Sequence, residues 1–278
     1  MKSPPIAPHP LFTYRQGQGC PILCLHGHPG SGASMSVFTD FLSRQFKTVA
    51  PDLRGYGRSR YSGPFSMQAH VSDLQTLLDG DGIETCWILG WSLGGILALE
   101  LALQLPHRVQ GLILVATAAA PRSTHPAISW TDQLYTGVAS LLNRASPGWR
   151  WNIETFGKRS LYRYLLQQHT PRAYEYLAYE GLPAYVKTSR QADRALRSAL
   201  RQGYNRTTDL KQLDMPCLML AGEKDYHISL QASVETAQAL PNCQLICYPD
   251  VAHLFPWELP TQIETDITAW LAKQRVQR

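Results

Sequence analysis

The chain has 278 residues, of which 44% are hydrophobic, 17% charged and 10% aromatic, and it carries a formal net charge of +5. That length suits one large domain or a core with an insertion, and the apolar share excludes an intrinsically disordered chain. No apolar run reaches the roughly 18–20 residues of a membrane-spanning helix; the longest candidate, residues 93–105, contains Glu100.

Residues 1–10, MKSPPIAPHP, lack the apolar stretch of a secretory leader, so the cytoplasm is the expected compartment. Pro21–Leu25 is a continuous apolar run ending at His26-Gly27, as expected of a strand buried on both faces. Residues 34–46 have the helical spacing Met35, Phe38, Phe41, Leu42, and 46–50 read as a strand stopped by Pro51-Asp52. A helix over 67–78 puts Val71, Leu74, Leu77 and Leu78 on one face. A strand at 85–89 ends in Gly90, a helix follows over 93–105, and 111–115 is the next strand. From 121 to about 209 the pattern changes: no buried strand is evident, and helices are expected at 128–143, 158–168, 171–182 and 190–203. The first rhythm then resumes, with strands at 217–221 and 244–248 and helices at 230–240 and 261–273. Alternating strands and helices predict an α/β fold with a doubly wound, mostly parallel sheet. Residues 1–120 and 211–278 form its core, and 121–210 form an inserted helical cap.

Six cysteines, Cys20, Cys24, Cys86, Cys217, Cys243 and Cys247, lie in or beside short aliphatic runs without any C-x-x-C. They read as small core hydrophobes in a reducing compartment. The charge is uneven: residues 121–210 hold 13 Lys/Arg against 6 Asp/Glu, while the remainder is nearly balanced. Within the basic block, Arg190, Arg194, Arg197 and Arg201 recur at helical spacing. They make either a solvated face or a dock for an acidic partner. No nucleic-acid-binding module accompanies them.

Gly90-Trp-Ser-Leu-Gly-Gly95 sits between an expected strand and an expected helix and satisfies G-x-S-x-G in that context. Such a turn projects the Ser92 hydroxyl above the sheet edge, beside the N–H groups that open the next helix. A serine becomes a nucleophile only with a base to take its proton and a third group to orient that base. Asp225 directly follows the strand at 217–221, and His253 follows the strand at 244–248. Open α/β sheets gather functional groups at these strand ends. Asp250 would have to fold back on His253, the strand at 111–115 is followed by no carboxylate, and His227 reads as a loop residue. The N–H groups of Leu93 and of His28, in the glycine-rich loop 26–32, are the candidate oxyanion donors. A metal reading of His26-x-His28 is disfavoured because no further ligands cluster with it.

These motifs, with HGHPG at 26–30, DLRGYGRS at 52–59, GEKD at 222–225 and AHLFPWELP at 252–260, resemble the α/β-hydrolase superfamily over nearly the whole chain. The resemblance implies a serine hydrolase that cleaves a carboxylic ester through an acyl-enzyme on Ser92, without cofactor or metal. It also implies a structural turn at Asp52 and Arg54 and a helical lid at 121–210, after the sixth strand. His28 stands where many relatives carry Gly, Phe, Trp or Asn, and its imidazole could line the acyl pocket. Trp91, Trp151 and Tyr162 are candidate pocket walls. Serine at the elbow argues against the epoxide hydrolases and haloalkane dehalogenases, which place aspartate there. Thioesterases, lactonases, iminopeptidases, C–C bond hydrolases, perhydrolases and acyl-carrier-protein methyl ester esterases remain open, as does a non-catalytic binding protein. The expected partner is a small acyl substrate, with acidic and carrier-bound ones included; monomer and dimer both stay open.

Overall fold

Short, mostly apolar segments build the centre of the sheet. The structure, a computed structural model, describes residues 7–276, so most of the segment read for a leader lies outside the described residues. The strands are β1 (Thr13–Gln16), β2 (Pro21–Leu25), β3 (Lys47–Pro51), β4 (Cys86–Trp91), β5 (Val109–Val115), β6 (Cys217–Gly222) and β7 (Cys243–Tyr248). They form one seven-stranded sheet in the order β1-β3-β2-β4-β5-β6-β7. β1 pairs antiparallel with β3, and every other pairing is parallel.

The helices, in chain order, are α1 (Ser36–Leu42), α2 (Met67–Gly80), α3 (Leu93–Gln104), α4 (Trp130–Ala145), α5 (Arg150–Thr155), α6 (Pro171–Tyr176), α7 (Leu182–Val186), α8 (Arg190–Arg201), α9 (Leu230–Ala239), α10 (Phe255–Glu258) and α11 (Pro260–Val276). Successive strand residues feed opposite layers, as the two-residue repeat of a pleated strand requires. Ile22, Cys24, Trp87, Leu89, Ile113 and Leu218 pack with side chains of α1 and α11. Leu23, Leu25, Cys86, Ile88, Leu112 and Met219 pack with α2, α3 and α9. Two apolar layers on one sheet are the doubly wound arrangement that the sequence predicts.

Helices α4 to α8 occupy the stretch between β5 and β6. Counted along the described strands, this segment follows the fifth strand rather than the sixth. The helix expected at 158–168 is absent; two single 3₁₀ turns, Gly157–Arg159 and Leu161–Tyr164, stand in its place. Ser160 breaks it, because its extended backbone leaves its hydroxyl free to bond the Gly157 carbonyl and the Tyr162 N–H. The helix expected at 171–182 runs on to Val186 through a wider π turn at Leu177–Gly181. Pro183 lacks the N–H that a regular turn would use there, and the π turn absorbs the gap. The cysteine reading holds for Cys24, Cys86 and Cys217, which are buried, whereas Cys247 on β7 is exposed. No described helix is long and apolar enough to cross a membrane.

Candidate active site

β4 ends at Trp91 and α3 begins at Leu93, so the whole reversal falls on Ser92. Its φ of 54° and ψ of −114° lie in a region that side chains rarely adopt. The fold holds it there from both sides: the Ser92 N–H donates to the Val115 carbonyl at 2.8 Å, and the Thr117 hydroxyl donates to the Ser92 carbonyl at 2.8 Å. The flanking glycines are required by close approach. A Cβ at Gly94 would sit 2.0 Å from the Leu25 carbonyl oxygen, and one at Gly90 would sit 2.4 Å from the Gly94 carbonyl oxygen.

Three strand ends converge on this turn. Ser92 Oγ lies 3.1 Å from His253 Nε2, and His253 Nδ1 lies 2.7 Å from Asp225 Oδ2. A carboxylate only accepts, so Nδ1 carries the hydrogen and Nε2 is left to accept from the serine. The other Asp225 oxygen accepts the N–H groups of His227 and Ile228 at 2.8 and 2.9 Å, which fixes the carboxylate plane. Asp225 and His253 are both buried.

His227, read from the sequence as a mere loop residue, stands edge-on to His253 with ring centroids 5.1 Å apart. On its other side it stacks on His125 at 4.9 Å. Burial first, and then the neighbouring His253 and His125, push His227 down to about 3, so it remains neutral beside the base. Spacing carries no trace of this cluster, because the fold brings His125, from the loop just after β5, against the loops that follow β6 and β7. Glu258 was likewise unremarked. Its buried carboxylate accepts the backbone N–H groups of Ala252 at 2.9 Å, of Gln167 at 2.8 Å and of Gln168. Leu254 N–H donates to the Leu165 carbonyl at 2.9 Å. The loop that carries His253 is thereby bound to the turn at 165–168.

The two candidate oxyanion donors flank the serine. Leu93 is the first residue of α3, where a helix leaves its N–H groups without internal partners. The loop 26–32 passes beside Ser92, with the ideal Cβ position of Gly27 only 3.8 Å from Oγ. His26 is buried and accepts the Leu53 N–H on Nε2 at 3.0 Å, while Nδ1 donates to the Gly27 carbonyl at 2.8 Å. Burial, the largest cause, lowers it to about 4. Among the described residues, no group of three or more His, Cys, Asp or Glu is placed to hold a metal ion. The His28 imidazole is engaged by Tyr56 and Asp193. Asp52 accepts the N–H groups of Gly32 and Arg58 at 2.6 and 2.7 Å, and the buried Arg54 forks onto Asp73.

The expected pocket walls separate. Trp91 is buried, edge-on to Phe38 and Trp257 at 5.8 and 5.2 Å. Tyr162 shares a hydrogen bond with Ser140 at 3.1 Å and lines a small cavity inside the helical segment with Tyr174 and Leu177. Trp151 corrects the expectation: it is 51% exposed and packs on Trp149 and Phe156. Helix α5 is too short to turn that ring inward while burying Asn152, so Trp151 is a surface side chain. The four α8 arginines are exposed, and Arg197 pairs with Asp193 at 2.8 Å.

The model of the alpha/beta hydrolase fold family matches residues 21–260, and the chain belongs to that family of hydrolases. Its relatives spread over several substrates. It is 31% identical to 2-hydroxymuconate semialdehyde hydrolase of Pseudomonas putida, over 90% of this chain and 84% of that protein. It is 29% identical to pimeloyl-[acyl-carrier protein] methyl ester esterase of Vibrio campbellii, over 85% of this chain and 89% of that protein. Among solved structures, a thermophilic esterase from Thermogutta terrifontis superposes with a TM-score of 0.71 at 26% identity, covering 95% of this chain and 93% of that one.

Proposed function

We propose that the chain hydrolyses carboxylic esters, with Ser92 as nucleophile, His253 as general base and acid, and Asp225 as the group that orients it. The observation that carries this reading is the unbroken relay from Ser92 Oγ through His253 to Asp225, at 3.1 and 2.7 Å. In the first half-reaction His253 Nε2 takes the Ser92 proton as Oγ bonds to the ester carbonyl carbon. The N–H groups of Leu93 and His28 hold the resulting oxyanion, and collapse expels the alcohol, which leaves with the proton from His253. In the second, water attacks the acyl-enzyme carbonyl and gives a proton to His253, the adduct collapses to release the carboxylic acid, and His253 passes that proton to Ser92 Oγ. Residues 121–210 act as the lid over this site.

The decisive experiment combines fluorophosphonate labelling with turnover of a panel of esters, thioesters, lactones and aminoacyl amides. Ser92→Ala is expected to abolish labelling and to cost at least about 10⁴-fold in turnover. Retained esterase activity in that variant sinks the assignment. A second reading, a carrier-bound acyl ester, is favoured by the basic surplus at 121–210 and the exposed α8 arginines. It predicts that turnover on carrier-bound esters falls between about 50 and 200 mM salt while turnover on free esters does not, because exposed charges are screened over about 10 Å at 0.1 M.

A further inference from the structure

The chemistry above uses only the backbone N–H of His28, yet its ring is held at both nitrogens. Nδ1 lies 2.9 Å from the Tyr56 hydroxyl, and Nε2 lies 3.4 Å from Oδ1 of Asp193 on α8. Those partners dictate the tautomer. The carboxylate only accepts, so Nε2 carries the hydrogen and Nδ1 accepts from the Tyr56 hydroxyl. Tyr56 is fully buried and stands edge-on to both His26 and His28. Burial holds the His28 imidazole below, and the Tyr56 phenol above, their ordinary ranges, which keeps both neutral in this arrangement.

Asp193 lies in the first turn of α8, and that turn is seated on the core at two further points. Ser189 N–H donates to the Gly55 carbonyl at 2.8 Å, and Gln191 Nε2 donates to the Ser62 carbonyl at 3.1 Å. Gly55, at φ +81°, makes the close seat possible: a Cβ there would lie 2.7 Å from Ser189 Oγ. One imidazole therefore joins the loop beside Ser92 to the first turn of α8.

We propose that His28 is a positioning residue whose imidazole, held between Tyr56 and Asp193, makes seating of α8 set the peptide that donates to the oxyanion. The inference rests on the oxyanion role proposed above. Ring and peptide share one Cα, so freeing the ring lets the N–H swing off its target. A displacement of about 1 Å at a reacting centre costs on the order of 100-fold in rate. The oxyanion hole is complete only while α8 is seated.

The test compares His28→Ala, His28→Gln, Asp193→Ala and the double variant His28→Ala/Asp193→Ala in the full chain. Each is measured for kcat, KM and affinity for a trifluoromethyl ketone, which mimics the tetrahedral adduct. His28→Ala and Asp193→Ala should each lower kcat by about 10- to 100-fold, weaken the ketone by a similar factor, and move KM by less than about threefold. The double variant should be no worse than the more damaged single, because both break one connection. His28→Gln should recover to within about tenfold of the parent, since its amide can donate to Asp193 and accept from Tyr56. Folded variants with parental kcat and ketone affinity overturn the proposal, as do fully additive losses. If His28→Ala does not fold, Asp193→Ala, on a half-exposed helix turn, decides alone. Ser92→Ala separates the two layers: an inactive Ser92→Ala beside normal His28 and Asp193 variants defeats only the positioning role, whereas an active Ser92→Ala defeats the site itself.

Discussion

Gly94 illustrates how tightly single residues are constrained here. With a Cβ only 2.0 Å from the Leu25 carbonyl, Gly94→Ala must push α3 away from β2. Overpacking against backbone costs about 1–3 kcal/mol, so the variant should melt lower and label poorly with fluorophosphonate. A melting curve unchanged from the parent would show that the elbow has slack. The Ser92, Asp225 and His253 cluster was legible at this scale because each lies at or shortly after a strand's carboxyl end, and strand ends converge whatever the intervening length. His125 and His227 were not legible, since the contacts of His227 with His253 and of His125 with His227 join loops far apart in the chain. Trp151 was misread for a related reason: an aromatic type does not say which way a short helix turns it.

Among elements, the loop bearing His253 owes its place to Glu258 at the end of α10. Glu258→Ala would leave the N–H groups of Gln167, Gln168 and Ala252 without their shared acceptor. A buried donor left unsatisfied costs about 1–3 kcal/mol, and of the three only that of Ala252 is fully buried, so a loss of about 1–3 kcal/mol is expected in urea unfolding. Faster proteolysis around 165–168 should accompany it, and a variant as stable as the parent would contradict the clamp. A parallel case is Arg54 and Asp73, a fully buried pair whose disruption by Asp73→Ala should cost about 3–5 kcal/mol by the same measurement. The central parallel strands β2, β4, β5 and β6 were readable because both their faces are apolar. β1 was not, because its residues are half-buried or exposed and its pairing with β3 supplies what its side chains do not. The turns at 157–164 carry apolar spacing that suits a helix, and only the backbone geometry at Ser160 excludes one.

For the whole molecule, buried histidines set the acid limb of stability. His26 sits at about 4 and His70 and His227 at about 3, all lowered chiefly by burial. The unfolded chain takes up these protons near 6.5, so below that pH it binds protons the native state refuses, and stability falls as pH drops toward 4. Glu180, raised to about 7 by burial, works in the opposite sense, losing stability as pH rises from 4.5 to 7. His28 and His169 are also lowered, and Asp40 and Glu258 also raised, chiefly by burial, so among the described residues five histidines against three carboxyls leave a net rise in melting temperature from pH 4 to 6.5, with a shallower slope in His70→Phe. A flat profile over that window would refute the balance. The interrupted core was readable from the change of rhythm near residue 121, and its surplus charge from counting alone. The docking of the helical segment on His28 and Glu258 was not, because those contacts join segments far apart in the chain. That interruption also orders events in time. Ser92 and His253 are 161 residues apart, so at ribosomal speeds of roughly 5–20 residues per second the serine precedes its base by roughly 8–30 s. During synthesis the nascent chain carries Ser92 without its proposed proton acceptor, and the proposed relay can form only when β7 and the loop after it have emerged to close the sheet.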